Sequence, residues 1–264
     1  KVDSIKITEP SPLILSSTKT NVTCFAGNDG TATVITTGGT PNNQGGYNYS
    51  WNTTPVQNTP TASNLTAGNY VVTVTDNNGC SVSHNIDVIA PQPITINLIN
   101  QQNVSCYGGN DGSLTTIVSG GVAPYDFNWN NYNYPNISNA SNLNSGVYLL
   151  NVTDANGCSA VTQFAITTPT ALNTSINSIT NISCFGANDG SIQTSTIGGT
   201  SPYTYQWNNN GGNTANITNL SANNHIIIVT DANGCTDTNN AQINEPTAVT
   251  TVLNAPTIVC PGQA

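Results

Sequence analysis

Basic residues are almost missing from this sequence of 264 residues, which has three lysines, no arginine and only 6% charged residues. Its formal net charge is -9. A protein that binds a phosphate backbone needs a cluster of basic side chains, and an anionic membrane surface selects for the same feature. The composition therefore predicts no nucleic-acid partner and no attachment to an anionic membrane.

Long apolar runs and helical periodicity are also lacking. No apolar run approaches the roughly 18 residues that span a bilayer, so no membrane insertion is predicted for this segment. The polar residues are mainly Asn, Thr, Ser and Gly, which favour strands and turns over helices. The chain starts at Lys1 and contains no methionine, which we interpret as an internal fragment of a longer protein.

No group of titratable residues has the pattern of a catalytic site. The two histidines, His84 and His225, occupy unrelated positions, and no Ser or Cys nucleophile motif is present. We therefore predict that the segment is not an enzyme and carries no catalytic residue and no cofactor.

What the sequence does contain is a repeat. Three strings of the form Cys-aromatic-x-x-Asn-Asp-Gly occur, at 24–30, 106–112 and 184–190. Each precedes a Gly-Gly pair and a Tyr-x-aromatic-x-Trp segment, the latter at 47–51, 125–129 and 203–207. Each copy then continues with a similar string that closes on Asn-Gly-Cys, at 64–80, 142–158 and 219–235. The first cysteines, at 24, 106, 184 and 260, are spaced by 82, 78 and 76 residues.

A period near 78 residues is too long for a solenoid unit and long enough for a small domain with its own core. We predict three domains: copy 1 at 11–91, copy 2 at 92–169 and copy 3 at 170–246. Residues 1–10 are predicted to end a preceding copy, and 247–264 to begin a fourth, truncated one.

Each copy has the strand pattern of an all-β, immunoglobulin-like sandwich. Alternating segments such as Tyr70–Val74 indicate strands with one buried face, and turn signals recur every 8–12 residues or so. The spacing of Leu65, Gly68 and Tyr70 resembles the tyrosine corner of such sandwiches. Copy 3 departs from it, with His225 at the tyrosine position.

Seven cysteines, two per copy plus one, predict a disulfide in each domain. The simplest pairing lies within each copy: Cys24–Cys80, Cys106–Cys158 and Cys184–Cys235. Cys260 is then unpaired because its partner lies beyond the fragment. A zinc site is the alternative, but zinc prefers short ligand spacings. Disulfides place the protein outside the cytoplasm.

Six aspartates occupy fixed positions of the repeat. They are Asp29, Asp76, Asp111, Asp154, Asp189 and Asp231. Aspartate commonly bonds to its own backbone in turns, which is the favoured interpretation. A calcium site that combines the two aspartates of a copy is the alternative, although calcium usually takes more carboxylates. No other metal site is predicted.

The repeated strings together resemble the SprB-type repeat of large cell-surface adhesins of gliding bacteria. The resemblance is carried in copy 3 by CFGANDGSI at 184–192, Pro-Tyr-x-Tyr-x-Trp at 202–207 and VTDANGC at 229–235, and it extends over almost the whole chain. It implies export by type IX secretion, a place on the outer membrane, transport by the motility machinery, and adhesion to a substratum.

Three functional hypotheses follow. The first is an extended spacer or adhesive fibre within an extracellular, cell-surface adhesin, whose partners are further repeats of the same chain, a surface polysaccharide or substratum, and the motility or secretion machinery. The second is a glycan- or polymer-binding module. A shared exposed aromatic face would favour it, and Tyr132 and Tyr134 in copy 2 are candidates for surface exposure. The third is a spacer attached to a secreted hydrolase.

Overall fold

The computed structural model describes residues 9–130, 136–208 and 212–253. Strands and turns make up the described part, and it contains no α-helix. No helix in these ranges is therefore long and apolar enough to cross a membrane. Tyr132, Tyr134, Cys260 and most of the two predicted partial copies lie outside the described residues.

Eighteen strands occur as three successive sets of six. The first set is β1 Ile14–Thr20, β2 Gly30–Thr37, β3 Asn48–Trp51, β4 Thr61–Leu65, β5 Gly68–Thr75 and β6 Ser81–Val88. The second is β7 Thr95–Gln102, β8 Gly112–Ser119, β9 Asp126–Asn130, β10 Ala140–Leu143, β11 Gly146–Thr153 and β12 Ser159–Ile166. The third is β13 Asn173–Thr180, β14 Gly190–Ile197, β15 Thr204–Trp207, β16 Ile217–Leu220, β17 Asn224–Thr230 and β18 Thr236–Gln242.

Each set forms two three-stranded sheets. In the first set their orders are β1-β2-β4 and β3-β5-β6, and the same orders recur in the second and third sets. The pairs β1/β2, β2/β4, β3/β5 and β5/β6 are antiparallel. An immunoglobulin constant-type sandwich has strands A, B, E and D in one sheet and C, F and G in the other. The two sheets of each set match A-B-E and C-F-G, and the fourth strand, D, has no counterpart among the described strands. The predicted all-β, tandem immunoglobulin-like fold is confirmed.

By compactness the chain falls into two units. Unit 1 comprises Lys1–Gln101, Ser113–Ala140 and Val147–Ala165, and unit 2 comprises Gln102–Gly112, Ser141–Gly146 and Ile166–Ala264. The division falls inside copy 2. The predicted limits of the three copies remain predictions.

The cores are filled by every second side chain along the strands of both sheets. In unit 1 the core of copy 1 combines Ala32 and Val34 of β2 with Val72 and Val74 of β5, around Trp51, which is 1% exposed. In unit 2 the core of copy 3 is built in the same way around Trp207. Burying an aromatic ring of this size contributes a large share of the stability of so small a domain.

The tyrosine corner is present in copy 1 and has a counterpart in copy 3. The Tyr70 hydroxyl donates to the carbonyl oxygen of Thr66, four residues upstream, at 3.0 Å. In copy 3 the His225 Nε2 bonds to the carbonyl oxygen of Ser221, also four residues upstream, at 3.1 Å. Histidine therefore replaces the tyrosine without loss of the corner's hydrogen bond, which the sequence did not reveal.

Candidate functional site: the joints between copies

The disulfides join successive copies and not the two cysteines of one copy. Cys24 of copy 1 is bonded to Cys158 of copy 2, with 5.6 Å between their Cα atoms. Cys106 of copy 2 is bonded to Cys235 of copy 3, with 5.7 Å between Cα atoms. Cys80 and Cys184 are free thiols on the surface. The predicted pairings Cys24–Cys80, Cys106–Cys158 and Cys184–Cys235 are therefore wrong.

The observed pairing arises because the two cysteines of a copy lie at opposite ends of its strands. Cys24 follows β1, in a loop where Val22 N–H donates to the Ile89 carbonyl oxygen just beyond β6. Cys80 lies in the β5–β6 turn, at the other end of those strands. An eight-residue strand is about 25 Å long, whereas a disulfide needs Cα atoms about 5.5–6 Å apart. The two cysteines of a copy therefore lie too far apart to bond, and each observed disulfide joins cysteines of neighbouring copies.

A hydrogen bond accompanies each disulfide. Within unit 1 the Asn156 Nδ2 donates to the carbonyl oxygen of Thr23, the residue before Cys24, at 3.1 Å. Within unit 2 the Asn233 Nδ2 donates to the carbonyl oxygen of Ser105, the residue before Cys106, at 2.9 Å. We call this arrangement of one disulfide and one Asn-to-carbonyl hydrogen bond the joint. The joint occurs in both units and uses equivalent positions of the repeat.

The turn that carries the second cysteine is built by a buried aspartate. Asp76 is 3% exposed, and its Oδ1 accepts hydrogen bonds from the N–H groups of Asn78 and Cys80, both at 2.9 Å. Its Oδ2 accepts from the Thr40 N–H at 2.9 Å. Gly79, which has a left-handed backbone with φ 86°, completes the turn. The aspartate therefore ties the β5–β6 turn to the Gly38-Gly39 loop and orients Cys80.

The same bonds recur in the other copies. Asp154 accepts from the N–H groups of Asn156, Cys158 and Val122. In copy 3, Asp231 accepts from those of Asn233, Cys235 and Thr200.

The other aspartate of each copy holds the loop of the first cysteine. Asp29 accepts hydrogen bonds from both the N–H and the hydroxyl of Thr23. Asp111 accepts from the Ser105 N–H at 2.9 Å, and Asp189 from the Ser183 N–H at 3.0 Å. All six repeat-fixed aspartates thus fix the backbone next to a cysteine. Asp76, Asp154 and Asp231 accept from the N–H group two residues further on, as the turn interpretation predicts. Asp29, Asp111 and Asp189 instead bind the residue six positions earlier. In the described part of the chain, no three His, Cys, Asp or Glu side chains are grouped to hold a metal ion.

These hydrogen bonds shift the aspartate pKa values downward. The Thr40 N–H is the main cause of the lowered pKa of Asp76, followed by those of Cys80 and Asn78, with burial opposing them. Burial is the largest influence on Asp154 and Asp231 and raises their pKa, but the N–H donors together outweigh it, so that each pKa still lies below the usual value. The hydroxyl and N–H of Thr23 lower the pKa of Asp29.

We therefore expect the protein to lose stability in acid. Because the six carboxyl groups have a lower pKa when folded, the folded state binds fewer protons than the unfolded chain below about pH 4. Their stabilising effect is complete above that pH and is lost as the pH falls through the folded pKa values. The melting temperature should be constant from about pH 7 to 5 and fall steeply between about pH 4 and 2. A flat profile down to pH 2 would contradict these assignments.

Substitution of Asp76 by Asn provides the matched control for this profile. An amide has one acceptor oxygen where the carboxylate has two, so one of the N–H groups of Thr40, Asn78 and Cys80 would face an NH₂ donor. We expect Asp76→Asn to lower the melting temperature at neutral pH and to make the acid profile shallower.

The tyrosine and tryptophan that begin and end each Tyr-x-aromatic-x-Trp segment are structural. The Trp51 Nε1 donates to the Thr59 carbonyl oxygen, and the Tyr47 hydroxyl donates to that of Gly38. The corresponding bonds exist in the other copies, from Trp129, Tyr125, Trp207 and Tyr203. These tryptophans are buried, so their rings are not available to stack on a sugar.

A different set of aromatics is exposed in all three copies. Phe25, Tyr107 and Phe185 each follow the first cysteine of a copy and are 58%, 66% and 60% exposed. Phe25 lines a shallow groove beside the Cys24–Cys158 disulfide, and Tyr107 lines one beside Cys106–Cys235. This set was not predicted from the sequence, although the aromatic that follows each Cys in the repeated string is a visible signal.

Comparison with solved structures finds similarity to several multidomain proteins. The three N-terminal domains of the Hoc outer capsid protein of bacteriophage RB49 match with 16% identity over 89% of this chain and 100% of theirs, at a TM-score of 0.43. Sidekick-1 immunoglobulin domains 1–5 match with 12% identity over 90% of this chain and 60% of theirs, at 0.38. The N-terminal eight immunoglobulin domains of Down syndrome cell adhesion molecule match with 13% identity over 85% and 35%, at 0.34.

Comparison of the sequence finds a family model that matches parts of the chain. No curated protein matches the chain in sequence. The family model of the SprB repeat matches three regions, residues 16–55, 98–133 and 176–212. Each region begins in the first strand of a set and includes the first cysteine, the Gly-Gly pair and the Tyr-x-aromatic-x-Trp segment. These three regions, which together hold 113 of the 264 residues, therefore match the SprB repeat in sequence.

Proposed function

We propose that this chain is a spacer segment of a secreted bacterial cell-surface adhesin, and specifically of one that serves gliding motility. The observation that carries the proposal is the joint, in which a disulfide and a hydrogen bond connect one copy to the next. A spacer that transmits force between a cell and a surface benefits from covalent links between its domains. The segment acts by reach and cohesion, without catalysis.

The two disulfides also support an extracellular location. Disulfides persist in oxidising compartments and are rare in the cytosol. Export through the type IX pathway and a position on the outer membrane belong to the proposal because they are implied by the SprB repeat. The partners we propose are further repeats of the same chain, the substratum or a surface polysaccharide, and the motility or secretion machinery.

A labelling experiment on living cells tests this function. Fluorescent monovalent antibody fragments raised against the chain would be added to intact gliding bacteria that produce the parent protein. The proposal predicts surface labelling that moves along the cell during gliding. Surface labelling that never moves would contradict a role in gliding, and labelling that requires permeabilised cells would contradict the surface address.

The exposed aromatics favour a second candidate, a glycan- or polymer-binding module. Phe25, Tyr107 and Phe185 recur at the same position of each copy, and repetition would multiply a weak binding site. Particles coated with the chain would be tested for adhesion to polysaccharide-coated surfaces, with the triple alanine variant as control. A spacer predicts little adhesion and no difference between the two, whereas a binding module predicts adhesion that the triple variant loses.

A further inference from the structure

The two free thiols occupy positions that are bonded in the sister copies. Cys80 ends the same Asp-x-x-Gly-Cys turn as Cys158 and Cys235, and both of these are bonded to the first cysteine of the preceding copy. Cys184 is a first cysteine, equivalent to Cys24 and Cys106, and both of these are bonded to the turn cysteine of the following copy. Both free thiols are exposed.

The hydrogen-bonding groups of the joint are also in place around them. The Asn78 Nδ2 donates to the Thr40 hydroxyl at 2.9 Å, as the Asn233 Nδ2 donates to the Thr200 hydroxyl at 3.1 Å. Asn233 makes its joint hydrogen bond to the Ser105 carbonyl oxygen from this orientation. The Ser183 carbonyl oxygen, next to Cys184, is the equivalent acceptor. Asn78 is thus oriented as a joint donor beside Cys80.

The residues that line the groove beside the joint have counterparts in the copies that carry the free thiols Cys80 and Cys184. In unit 1 the groove is lined by Phe25, Pro93 and Ile94. Pro12 and Leu13 hold the positions of Pro93 and Ile94, because they lie against Gly38 and Gly39 as Pro93 and Ile94 lie against Gly120 and Gly121. Phe185 holds the position of Phe25 and is exposed next to Cys184.

We propose that the Cys80 face and the Cys184 face are complementary covalent docking surfaces for a second copy of this chain. The second copy docks head to tail, with its Cys184 bonded to Cys80. The partner is specified by three features of the joint: the thiol, the carbonyl oxygen that precedes it, and the aromatic that follows it. The proposal does not depend on adhesion or gliding.

The bond requires an oxidant, for which glutathione disulfide is suitable. The thiolate of one cysteine attacks glutathione disulfide, forms a mixed disulfide and releases one reduced glutathione. The thiolate of the second cysteine then attacks the protein sulfur of the mixed disulfide and displaces a second reduced glutathione. Two protein thiols are oxidised, one glutathione disulfide is reduced, and the two thiol protons end on the two glutathione molecules.

Two variants of the full chain, both with Cys260→Ser, separate specific docking from random oxidation. Cys184→Ser retains only the Cys80 face, and Cys80→Ser retains only the Cys184 face. Each variant would be incubated in a glutathione redox buffer, once by itself and once in an equimolar mixture with the other variant. The products would be analysed by non-reducing electrophoresis. We expect the mixture to form a disulfide-linked heterodimer at least tenfold faster than either variant alone forms a homodimer.

Equal rates of homodimer and heterodimer formation would overturn the proposal, as would the absence of any disulfide-linked dimer in the mixture. A further variant tests the hydrogen bond: Asn78→Ala in the Cys184→Ser chain should slow heterodimer formation several-fold. Ser81→Ala, an exposed neighbour of Cys80, is its matched control and should leave the rate unchanged. If Asn78→Ala and Ser81→Ala have equal rates, docking does not use the joint geometry.

Discussion

Reduction of the disulfides should lengthen the fully stretched chain between Cys24 and Cys235 about fourfold. The two disulfides interlock, because Cys106 lies within the loop closed by Cys24–Cys158. When both are intact, the shortest covalent path from Cys24 to Cys235 runs through the 52 residue steps between Cys158 and Cys106. At about 3.5 Å per residue this path is roughly 180 Å long, against roughly 700 Å for the 211 residue steps of the reduced chain.

Force spectroscopy on single molecules held at their two ends measures this difference. The oxidised chain should reach its final stiff regime several hundred ångströms earlier than the chain in reductant. Most of copy 1 and of copy 3 should release no length, because the disulfides carry the load past them. Cys80→Ser should behave as the unaltered chain, because Cys80 is in neither disulfide. A gain in length with Cys80→Ser would contradict the observed pairing.

The second large effect is expected from alanine at Gly120. This glycine has φ 77°, and a Cβ atom there would lie 1.9 Å from the Pro93 carbonyl oxygen. A backbone carbonyl cannot move aside in the way that a flexible side chain can, so the loop that meets Asp154 would be displaced. We expect Gly120→Ala to destabilise copy 2 by more than about 4 kcal/mol, which marks a disrupted structure.

Gly157→Ala in the same copy is the matched control. Gly157 has a similar φ of 83°, but nothing lies within 4 Å of the position of its Cβ atom. It should cost only the left-handed conformation itself, about 1–2 kcal/mol. Urea unfolding followed by pulsed hydrogen exchange and mass spectrometry would report copy 2 separately. Similar losses for the two variants would show that close packing against Pro93 is not what makes Gly120 necessary.

The strands and turns could be predicted from sequence because their signals are local. Alternation in segments such as Tyr70–Val74 of β5 identified a buried face, and the repeat-fixed Asp76 identified a turn. Both depend on residues within a few positions of each other. The repetition of these signals three times then gave the tandem arrangement.

The disulfide pairing could not be predicted in the same way, because it depends on which end of the sandwich each loop occupies. Counting two cysteines per copy suggested internal pairs, whereas the immunoglobulin-like connectivity places the β1–β2 loop and the β5–β6 turn at opposite ends of the strands. The exposure of Phe25 was missed for a related reason. Its exposure depends on its place in the loop after β1, beside Cys24, and its residue type does not reveal that place.

Peptide mapping of the oxidised protein tests the central claim most directly. Cleavage before aspartate separates Cys24, Cys80, Cys106 and Cys235 into the peptides 3–28, 76–86, 87–110 and 231–236, and leaves Cys158 with Cys184 in 154–188. Under non-reducing conditions, mass spectrometry should find 3–28 linked to 154–188, and 87–110 linked to 231–236, with 76–86 released as a free thiol peptide. A 3–28 peptide linked to 76–86 would show that the disulfides lie within the copies and would contradict the joint.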